Sequence, residues 1–382
     1  MRQLTHGPRH HFFGRAGVSP WNGSETRIAC LESAFHGRAP QPGERAQIGI
    51  VDPNTGGFSA LATTAAWSFL HGAMIEWCRQ SPNDELLFND MVDGSPFGVR
   101  LNVLTGARQV YMRPFAAAGG DGARIASVSL GRIARLGAGE GVAGAPDSFA
   151  DETAPEEDGL FILGLTHGLQ RMIVSIASVA TETRARHADL RRRDFWFDHV
   201  SFNKSGTRLL FTVFAGRKSA RADVALWTIG IDGEALREVV PFGCGAVRGM
   251  WLDAGSCIAT FRGDDGVVAP RVFTDSDDPG ASPCAGNITG PVRIVPSPDG
   301  ARLAVESDNP RRRSKALTIL ERATGATTAL VELRMSDEAF FQGLGRCDLN
   351  PRWNQAGNAL CVDAVGIEGT RQLHIVPVAR DK

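Results

Sequence analysis

The chain has 382 residues, enough to bury a large hydrophobic core, and its 43% hydrophobic and 22% charged residues are those of an ordinary globular protein. Its 41 basic and 42 acidic residues leave a formal net charge of −1, which gives no argument for nucleic acid or a membrane surface as the partner. No segment approaches the roughly 20 consecutive apolar residues of a membrane-spanning helix.

The N-terminal segment and the cysteines both point to a reduced compartment. Residues 1–15 are rich in His and Arg and lack the apolar segment of a secretory signal. The seven cysteines are scattered and contain no CxxC pair. We therefore expect a cytoplasmic protein rather than a disulfide-rich or zinc-stabilised one.

One short pattern recurs along the whole chain: a polar turn that contains Gly, followed by a short strand of alternating apolar residues. The units cover residues 19–31, 77–88, 117–128, 201–211, 251–261, 297–305 and 353–362. The third unit is the weakest match. Gly is abundant, with 44 residues, and the apolar segments are short, which is typical of many strands joined by turns.

Most of these units are followed by a second pattern, an apolar strand that ends in a Thr-Gly or Asp-Gly turn and leads into one more strand. Examples are residues 48–56, 99–106, 224–233 and 317–325. Four short antiparallel strands in roughly 40–50 residues are the pattern of a β-propeller blade. The sequence therefore predicts an all-β protein, a seven-bladed β-propeller that forms a single domain over residues 1–382. Six or eight blades are the alternatives, because the third unit is degraded.

Two segments interrupt the repeat. Residues 137–157 are rich in Gly, Ala and acidic side chains, and residues 180–194 include the basic run at 191–193. We interpret both as mobile surface insertions, with a functional lid as the alternative. We also expect a strand from the region of Phe12 to close the ring by pairing with the last blade, because an unpaired edge is a liability.

The innermost strand of each propeller blade begins near the central channel, so polar residues just ahead of the repeated turn should converge there. The candidates are His71, Asn89, His199, Arg248, Arg293 and the polar group at residues 346–352. Each of them, taken alone, is more readily explained as a hydrogen-bonded structural residue. Their shared place in the repeat favours a site, and cationic side chains from several blades would give it a positive field.

Five segments resemble the oligogalacturonate lyase-like seven-bladed propellers. They are GAMIEW with LLFND (72–90), PEEDGLFIL (155–163), HVSFNKSGTR (199–208), SPDG (297–300) and RCDLNPRW (346–353). The resemblance covers nearly the whole chain, although SPDG alone occurs in many propellers. It implies β-elimination of uronate-containing oligosaccharides at a divalent metal such as manganese in the central channel. A small anionic oligosaccharide is then the expected partner.

β-Elimination needs a cation that neutralises the uronate carboxylate, a base for the α-proton and a donor for the leaving oxygen. By the resemblance, His199 matches a family histidine and is the base or a metal ligand, with Asp348 as a second candidate ligand. Three other positions where the family has His are Arg248, Arg293 and Asn350 here. Arginine has no lone pair for a metal, so we expect an incomplete site from which the metal has been lost. Arginine can neutralise a carboxylate instead, so Arg248 and Arg293 would hold the substrate and join His199 as the catalytic residues.

The remaining predicted contacts are substrate-binding side chains at inner-strand or family-matched positions. They are His71, Asn89, Arg132, Arg346, Asn350 and Arg352. The family also has a Tyr-rich stretch after the arginine that matches Arg132, but the only tyrosine here, Tyr111, lies in a predicted strand. We therefore expect no catalytic tyrosine.

Three functions remain open on the sequence. The first is a lyase that acts on small uronate oligosaccharides. The second is a catalytically inactive propeller that binds an anionic sugar. The third is a plain interaction scaffold, because a fold does not determine a function.

Overall fold

The computed structural model describes residues 1–137, 141–216, 222–335, 337–343 and 345–379. Within them, the strands form seven four-stranded antiparallel sheets arranged in a ring. The predicted all-β, seven-bladed propeller is confirmed. Each repeated unit of the sequence spans the turn between the first and second strand of one blade, so even the weak third unit marks a blade.

The strands are β1 (Arg2–Gln3), β2 (His10–Phe12), β3 (Ile28–Ser33), β4 (Ala46–Val51), β5 (Phe58–Thr64), β6 (Glu76–Trp77), β7 (Glu85–Val92), β8 (Ser95–Asn102), β9 (Arg108–Tyr111), β10 (Ala117–Ala118), β11 (Arg124–Ser127), β12 (Gly159–Gly164), β13 (Gln170–Ser175), β14 (Asp194–Phe202), β15 (Arg208–Gly216), β16 (Asp223–Gly230), β17 (Arg237–Val240), β18 (Val247–Trp251), β19 (Ser256–Arg262), β20 (Val268–Thr274), β21 (Ser282–Pro283), β22 (Arg293–Pro296), β23 (Arg302–Asn309), β24 (Ser314–Glu321), β25 (Thr327–Arg334), β26 (Arg352–Trp353), β27 (Ala359–Val365) and β28 (Arg371–Pro377). Blades 1 to 6 take four consecutive strands each, from β2–β5 to β22–β25, and blade 7 contains β26–β28 with β1.

The hydrophobic core lies between the blades. Phe12 and Leu31 of blade 1, for example, pack in one cluster with Leu86 and Phe88 of blade 2, and all four are essentially fully buried. Because both faces of a blade are covered by its neighbours, only the free edge of each inner strand faces the channel. A side chain on a regular inner strand therefore lies between blades and not in the channel.

Tryptophans at the repeated turns tie neighbouring blades together. In each case the indole N–H donates to a backbone carbonyl on the inner part of the preceding blade. The pairs are Trp77 with Pro20 (2.8 Å), Trp251 with Ser201 (3.2 Å) and Trp353 with Val295 (3.1 Å). Each indole N–H thus has a partner, and the turn of one blade is bonded to the blade before it.

Three of the seven repeated turns are built around an asparagine. The Asn203 side-chain oxygen accepts the backbone N–H groups of Thr207 at 2.9 Å and Arg208 at 3.1 Å. Asn22 and Asn354 accept the equivalent pair of N–H groups at the turns of blades 1 and 7. An Asn side chain that accepts the N–H groups of its own turn needs no partner elsewhere in the chain. This explains why the repeat can be recognised from the sequence.

The ring is closed by an N-terminal strand, as predicted, but not by the predicted one. Strand Arg2–Gln3 pairs antiparallel with β28, with Gln3 opposite His374. The next residue, Leu4, is buried at the same junction. Phe12, the predicted closing region, instead lies in the inner strand of blade 1 and pairs with β3.

Residues 13–19, here called the plug segment, lie across the central channel between β2 and the first turn of blade 1. The N–H of Gly14 donates to Asp363 of blade 7 at 3.2 Å. The Arg15 side chain reaches towards blade 3, where it donates to the carbonyl of Ala116 at 3.0 Å. The plug segment therefore connects strands on different sides of the ring.

The part of the chain that the structure describes has few helices: α1 (Leu130–Leu136), α2 (Ile176–Arg186), the four-residue α3 (Glu338–Phe341) and a short 3₁₀ turn at Ala188–Leu190. Residues 137–157 follow α1 and lead to β12, apart from 138–140, which lie outside the described residues; residues 180–194 begin within α2 and lead to blade 4. Among the described residues, no helix is long and apolar enough to cross a membrane. All seven cysteines are unpaired.

Candidate functional site

Two inner strands depart from regular geometry at the same level of the ring. In blade 4 the β14–β15 register breaks between Asp198 and Ser201, and His199 adopts φ +50°. In blade 5 the β18–β19 register breaks between Val247 and Met250, on either side of Arg248. A bulge redirects side chains away from the regular face of the sheet. It places His199 and Arg248 in the central channel, where both line one cavity.

The channel opens on the face that carries the Asn turns as a pocket of about 410 Å³, here called the outer pocket. This volume lies within the range of small-molecule sites. The pocket is lined by four cationic side chains and two acidic ones: Arg15, Arg79, Lys204 and Arg248 against Glu76 and Asp253. Phe202, Trp251 and Trp353 add flat aromatic faces. The pocket therefore combines an excess of positive charge with rings that can pack against a sugar.

A second, much smaller space lies deeper in the channel and is here called the inner cavity. Its volume of about 10 Å³ is room for the centre of roughly one water molecule. Its lining includes His71, Asp198 and His199. Arg15 and Arg248 line both the inner cavity and the outer pocket, so they form the boundary between the two spaces.

Asp198 lies between the two histidines of the inner cavity. Its carboxylate is 3.8 Å from His71 Nε2 and 3.9 Å from His199 Nδ1, and the two imidazole rings meet edge to face at 5.2 Å. Asp198 also accepts the backbone N–H of His199 at 2.6 Å, which holds the bulge in place. The carboxylate thus lies within ion-pair distance of both rings but forms a hydrogen bond to neither.

The ionisation states follow from burial and from the neighbouring charges. Burial lowers the pKa of His199 to about 3; Asp198 opposes this shift and the positive charge of Arg248 adds to it. Burial by itself would raise the pKa of Asp198, but His71, His199 and Arg248 outweigh it, and the net pKa is lowered. At neutral pH the cavity therefore holds a carboxylate and a neutral His199 imidazole with a free lone pair.

His71, Asp198 and His199 form a candidate metal site, since their ligand atoms all lie within 4.8 Å of one another. Oδ2 of Asp198 has no hydrogen-bond partner among the described residues, and two imidazoles with a carboxylate suit a divalent transition metal in kind. The surrounding charge does not suit one. Arg15 and Arg248 line the same cavity, with Asp198 as its single carboxylate, so a dication would join two positive charges in a space the size of one water. The residues present do not fit the metal that the sequence resemblance implies.

Arg293 lies elsewhere, between blade 6 and the segment that leads into blade 7. Its Nη2 is 2.8 Å from Glu306 and 3.2 Å from both Asp308 and Asp348. The reason is regular pairing: β22 has no bulge, Arg293 lies directly opposite Glu306, and its side chain stays on the face of the sheet. Arg293 occupies the same position in the repeat as Arg248, but its strand has no bulge that would redirect its side chain.

Asp348 belongs to the same group, here called the charge cluster, which consists of Arg293, Glu306, Asp308, Lys315, Arg346 and Asp348. One oxygen of Asp348 is 2.8 Å from Lys315, and the other is 2.8 Å from Arg346. Burial would raise the pKa of Asp348, but Arg293, Arg346 and Lys315 outweigh it and lower the pKa. A metal at Asp348 would have to displace these cations. Asn350 adjoins the cluster, since its backbone N–H donates to Glu306 at 3.1 Å.

Three further predicted substrate-binding residues line neither the outer pocket nor the inner cavity. Arg132 is fully buried in α1 and donates to backbone carbonyls of the insertion that follows and of blade 4. Asn89 is buried and exchanges hydrogen bonds with the backbone of Phe115 at 2.6 and 2.8 Å. Arg352 forms a fully buried ion pair with Asp363 at 2.7 Å. The contacts of all three hold the ring together.

Arg15, Glu76 and Asp198 line the site but are not among the residues predicted from the sequence. Asp198 had a usable signal, because an acidic residue directly precedes His199 just ahead of a repeated turn. Arg15 had none, since it stands outside the repeat and reaches the channel only through the plug segment. Together with His71, His199 and Arg248, these residues define a class: a seven-bladed β-propeller with a cationic, histidine-bearing pocket in its central channel.

Comparison with known proteins shows the fold of the chain but no family. No family model matches the chain, and no curated protein matches it. Oligogalacturonate lyase from Vibrio parahaemolyticus is similar over 99% of this chain and 93% of that chain, with a TM-score of 0.65 and 10% identity. An oligogalacturonate lyase in complex with manganese is similar over the same shares, with a TM-score of 0.61 and 12% identity.

A more distant likeness links the chain to a peptidase. Prolyl oligopeptidase B from Galerina marginata is similar over 98% of this chain but 49% of that chain, with a TM-score of 0.54 and 8% identity. At these identities the likenesses show the fold. The resemblance to oligogalacturonate lyases that the sequence motifs indicated is thereby confirmed as a structural one.

Proposed function

We propose that the protein binds a uronate-containing oligosaccharide in the outer pocket and cleaves it by β-elimination. The observation that carries the proposal is that Arg248 and His199, on matched bulges of blades 4 and 5, line one inner cavity, and that Arg248 also lines the outer pocket. A carboxylate-binding cation next to an unprotonated imidazole is what the first two steps of elimination need. The excess of cationic side chains in the outer pocket favours an anionic sugar over a neutral one.

Arg248 supplies the electrostatic part of the reaction. A guanidinium can hold a carboxylate through two parallel hydrogen bonds, and in a pocket with little water this pairing is stronger than in bulk solvent. Pairing withdraws negative charge from the uronate carboxylate, which makes the proton on the adjacent carbon more acidic. No metal is used in this scheme, because the arginines provide the positive charge.

His199 supplies the base. Its pKa of about 3 in the free protein keeps the imidazole neutral but makes it a weak base. A bound carboxylate offsets the positive charge of Arg248 and so raises the pKa of His199 above its value in the free protein. The imidazole takes the proton from the carbon next to the carboxylate, a carbon–carbon double bond forms, and the bond to the leaving oxygen breaks. The leaving oxygen takes a proton from water in the outer pocket, so no other reactant is consumed.

The experiment is a panel of uronate dimers and trimers, with neutral hexose oligomers of the same length as controls. Elimination leaves a conjugated double bond, which is followed by ultraviolet absorbance, and binding is followed separately by calorimetry. We expect absorbance to rise with at least one uronate oligomer, and His199→Gln to abolish the rise while uronate still binds. Arg108→Gln, at an exposed position on the outermost strand of blade 2, is the control and should keep the activity.

The two outcomes that count against the proposal are distinct. Absence of any uronate binding, or equal binding of neutral oligomers, would overturn the anionic ligand. Tight uronate binding without a rise in absorbance would support the proposed ligand but contradict the proposed elimination. That second result would favour the inactive, sugar-binding propeller.

A further inference from the structure

The plug segment carries a cation into the channel that no part of the repeat provides. Arg15 is 5% exposed, and its guanidinium contacts the boundary between the outer pocket and the inner cavity. Arg248 reaches the same boundary from blade 5. Two guanidinium groups from different sides of the ring therefore meet where the substrate carboxylate is expected.

The Arg15 guanidinium uses few of its hydrogen-bond donors within the protein. A guanidinium has five N–H donors. Among the described residues, the one hydrogen bond of this side chain is from Nη2 to the carbonyl of Ala116, at 3.0 Å. Its nearest carboxylate, Glu76, is 3.9 Å away, which is an ion pair without a hydrogen bond. A buried charge with so few partners favours an anionic ligand.

The backbone of the plug segment fixes the place of Arg15. Gly14 on one side of it has φ +87°, and a Cβ there would lie 2.4 Å from the backbone nitrogen of Gly72. Gly17 on the other side has φ +74°, and a Cβ there would lie 2.6 Å from the end of the Met250 side chain. Arg15 thus stands between two close approaches of the segment to the surrounding blades. The backbone on both sides of Arg15 is therefore packed closely against the blades, and this fixes where the Arg15 side chain enters the channel.

We propose that Arg15 is a substrate-binding residue which, together with Arg248, holds the uronate carboxylate at the boundary of the outer pocket and the inner cavity. This inference rests on the proposed function and extends it, since it names a residue that neither the repeat nor the family motifs mark. The loose partner Glu76 is then the group that the substrate carboxylate replaces beside Arg15. The plug segment becomes part of the binding site and not only a filler of the channel.

The test is the dissociation constant of a uronate dimer, measured by calorimetry on three variants of the full chain. Arg15→Gln removes the charge but keeps a polar side chain with an N–H donor. We expect it to weaken uronate binding by roughly tenfold or more, the usual size of a lost charged hydrogen bond. Arg15→Lys restores the charge and should recover part of the affinity. Arg171→Met removes an arginine that also donates to backbone carbonyls, but on the outer surface, and should leave the affinity unchanged.

A second readout separates binding of charge from support of the fold. A methyl-esterified uronate dimer carries no carboxylate, so it should bind weakly to the wild-type protein and equally weakly to Arg15→Gln. Equal uronate affinity in Arg15→Gln and wild type would overturn the inference. So would an equal loss in Arg15→Gln and Arg15→Lys with lowered melting temperatures, which would assign Arg15 a structural role. If the wild-type protein binds no uronate, the proposed function itself fails, and that result is distinguishable from either of these.

Discussion

Gly14 and Gly72 approach each other so closely that a Cβ on Gly14 would lie 2.4 Å from the Gly72 nitrogen, and one on Gly72 would lie 2.2 Å from the Phe13 carbonyl oxygen. The contact joins the plug segment to the loop that leads into blade 2. Both neighbouring atoms are backbone, so neither can move aside as a flexible side chain would. The close packing of the plug segment at this point therefore requires glycine at both positions.

Gly14→Ala should destabilise the protein much more than a matched glycine substitution. Gly37 has φ +84°, close to the +87° of Gly14, but no atom lies within 4 Å of its Cβ position. Gly37→Ala should therefore cost only the backbone strain, about 1–2 kcal/mol. Gly14→Ala adds a backbone clash to the same strain. Urea denaturation of both variants measures the difference, and equal losses would show that the plug segment is loosely held.

The fold was predictable because its signals are local. Asn203, for example, satisfies the N–H groups of its own turn, so the pattern of a blade can be read within about a dozen residues. The closing strand at residues 2–3 was not predictable, since two residues are too short to show a pattern. Its position depends on pairing with a strand at the other end of the chain.

The site was only partly predictable for a related reason. Arg248 and Arg293 occupy the same place in the repeat, and the sequence does not show that one inner strand is bulged and the other regular. A bulge depends on the register between two strands, which is a non-local property. Arg15 reaches the channel through contacts with several blades at once, and no pattern within its own segment indicates them.

Asp363→Asn should destabilise the protein strongly. Asp363 is fully buried and accepts hydrogen bonds from Arg352 and Arg371, both at 2.7 Å. The neutral amide would leave the buried guanidinium groups of Arg352 and Arg371 without their counter-charge, which should lower the free energy of unfolding by about 3–5 kcal/mol. Asp264→Asn, at an exposed position, is the control and should change the free energy of unfolding by no more than about 0.5 kcal/mol. Urea denaturation at neutral pH measures both.

The same carboxylate predicts a pH dependence. Burial by itself would raise the pKa of Asp363, but Arg352 and Arg371 outweigh it, so the folded-state pKa lies below the usual value. Its stabilising contribution is therefore present above the unfolded pKa of about 3.9 and is lost as the pH falls through the folded pKa. The free-energy gap between wild type and Asp363→Asn should shrink below about pH 4. A gap that stayed constant over the whole acid range would contradict this assignment.

Leu4→Ala should weaken the closure of the ring. Leu4 is 1% exposed and packs where the N-terminal strand meets blade 7, so truncation should cost about 2–5 kcal/mol. Leu104 is 64% exposed on a turn of blade 2, and Leu104→Ala is the matched control with little expected effect. Thermal melts compare the two. Equal melting temperatures would mean that the ring is held closed without the N-terminal strand.

Chelation should leave the protein unchanged. Arg15 and Arg248 supply the positive charge in the channel, so elemental analysis after dialysis should find no stoichiometric divalent metal, and a chelator should not alter uronate binding. A metal that survives dialysis in the wild type and is lost in His71→Gln or Asp198→Asn would contradict this. The candidate site at His71, Asp198 and His199 would then be a metal site in spite of the arginines.

Arg248→Met and Arg293→Met should separate ligand binding from stability. Arg248 lines the outer pocket, so its loss should weaken uronate binding by roughly tenfold or more, with a smaller effect on the free energy of unfolding. Arg293 is paired with Glu306, whose side chain is 0% exposed, so its loss leaves a buried carboxylate short of its partner and should cost about 3–5 kcal/mol. Uronate affinity in the folded Arg293→Met protein should stay within about twofold of wild type, since paired charges far from a ligand change its affinity little.

Calorimetry and urea denaturation, run on the same preparations, give both quantities for each variant. If Arg293→Met does not fold, Arg293→Lys keeps a cation among the carboxylates of the charge cluster and tests the same point. The decisive result against this assignment would be a folded Arg293 variant that no longer binds uronate beside an Arg248 variant that binds it normally. The carboxylate would then be held between blades 6 and 7, in competition with Glu306 and Asp348 for the same guanidinium, and the matched bulges of blades 4 and 5 would have no part in holding it.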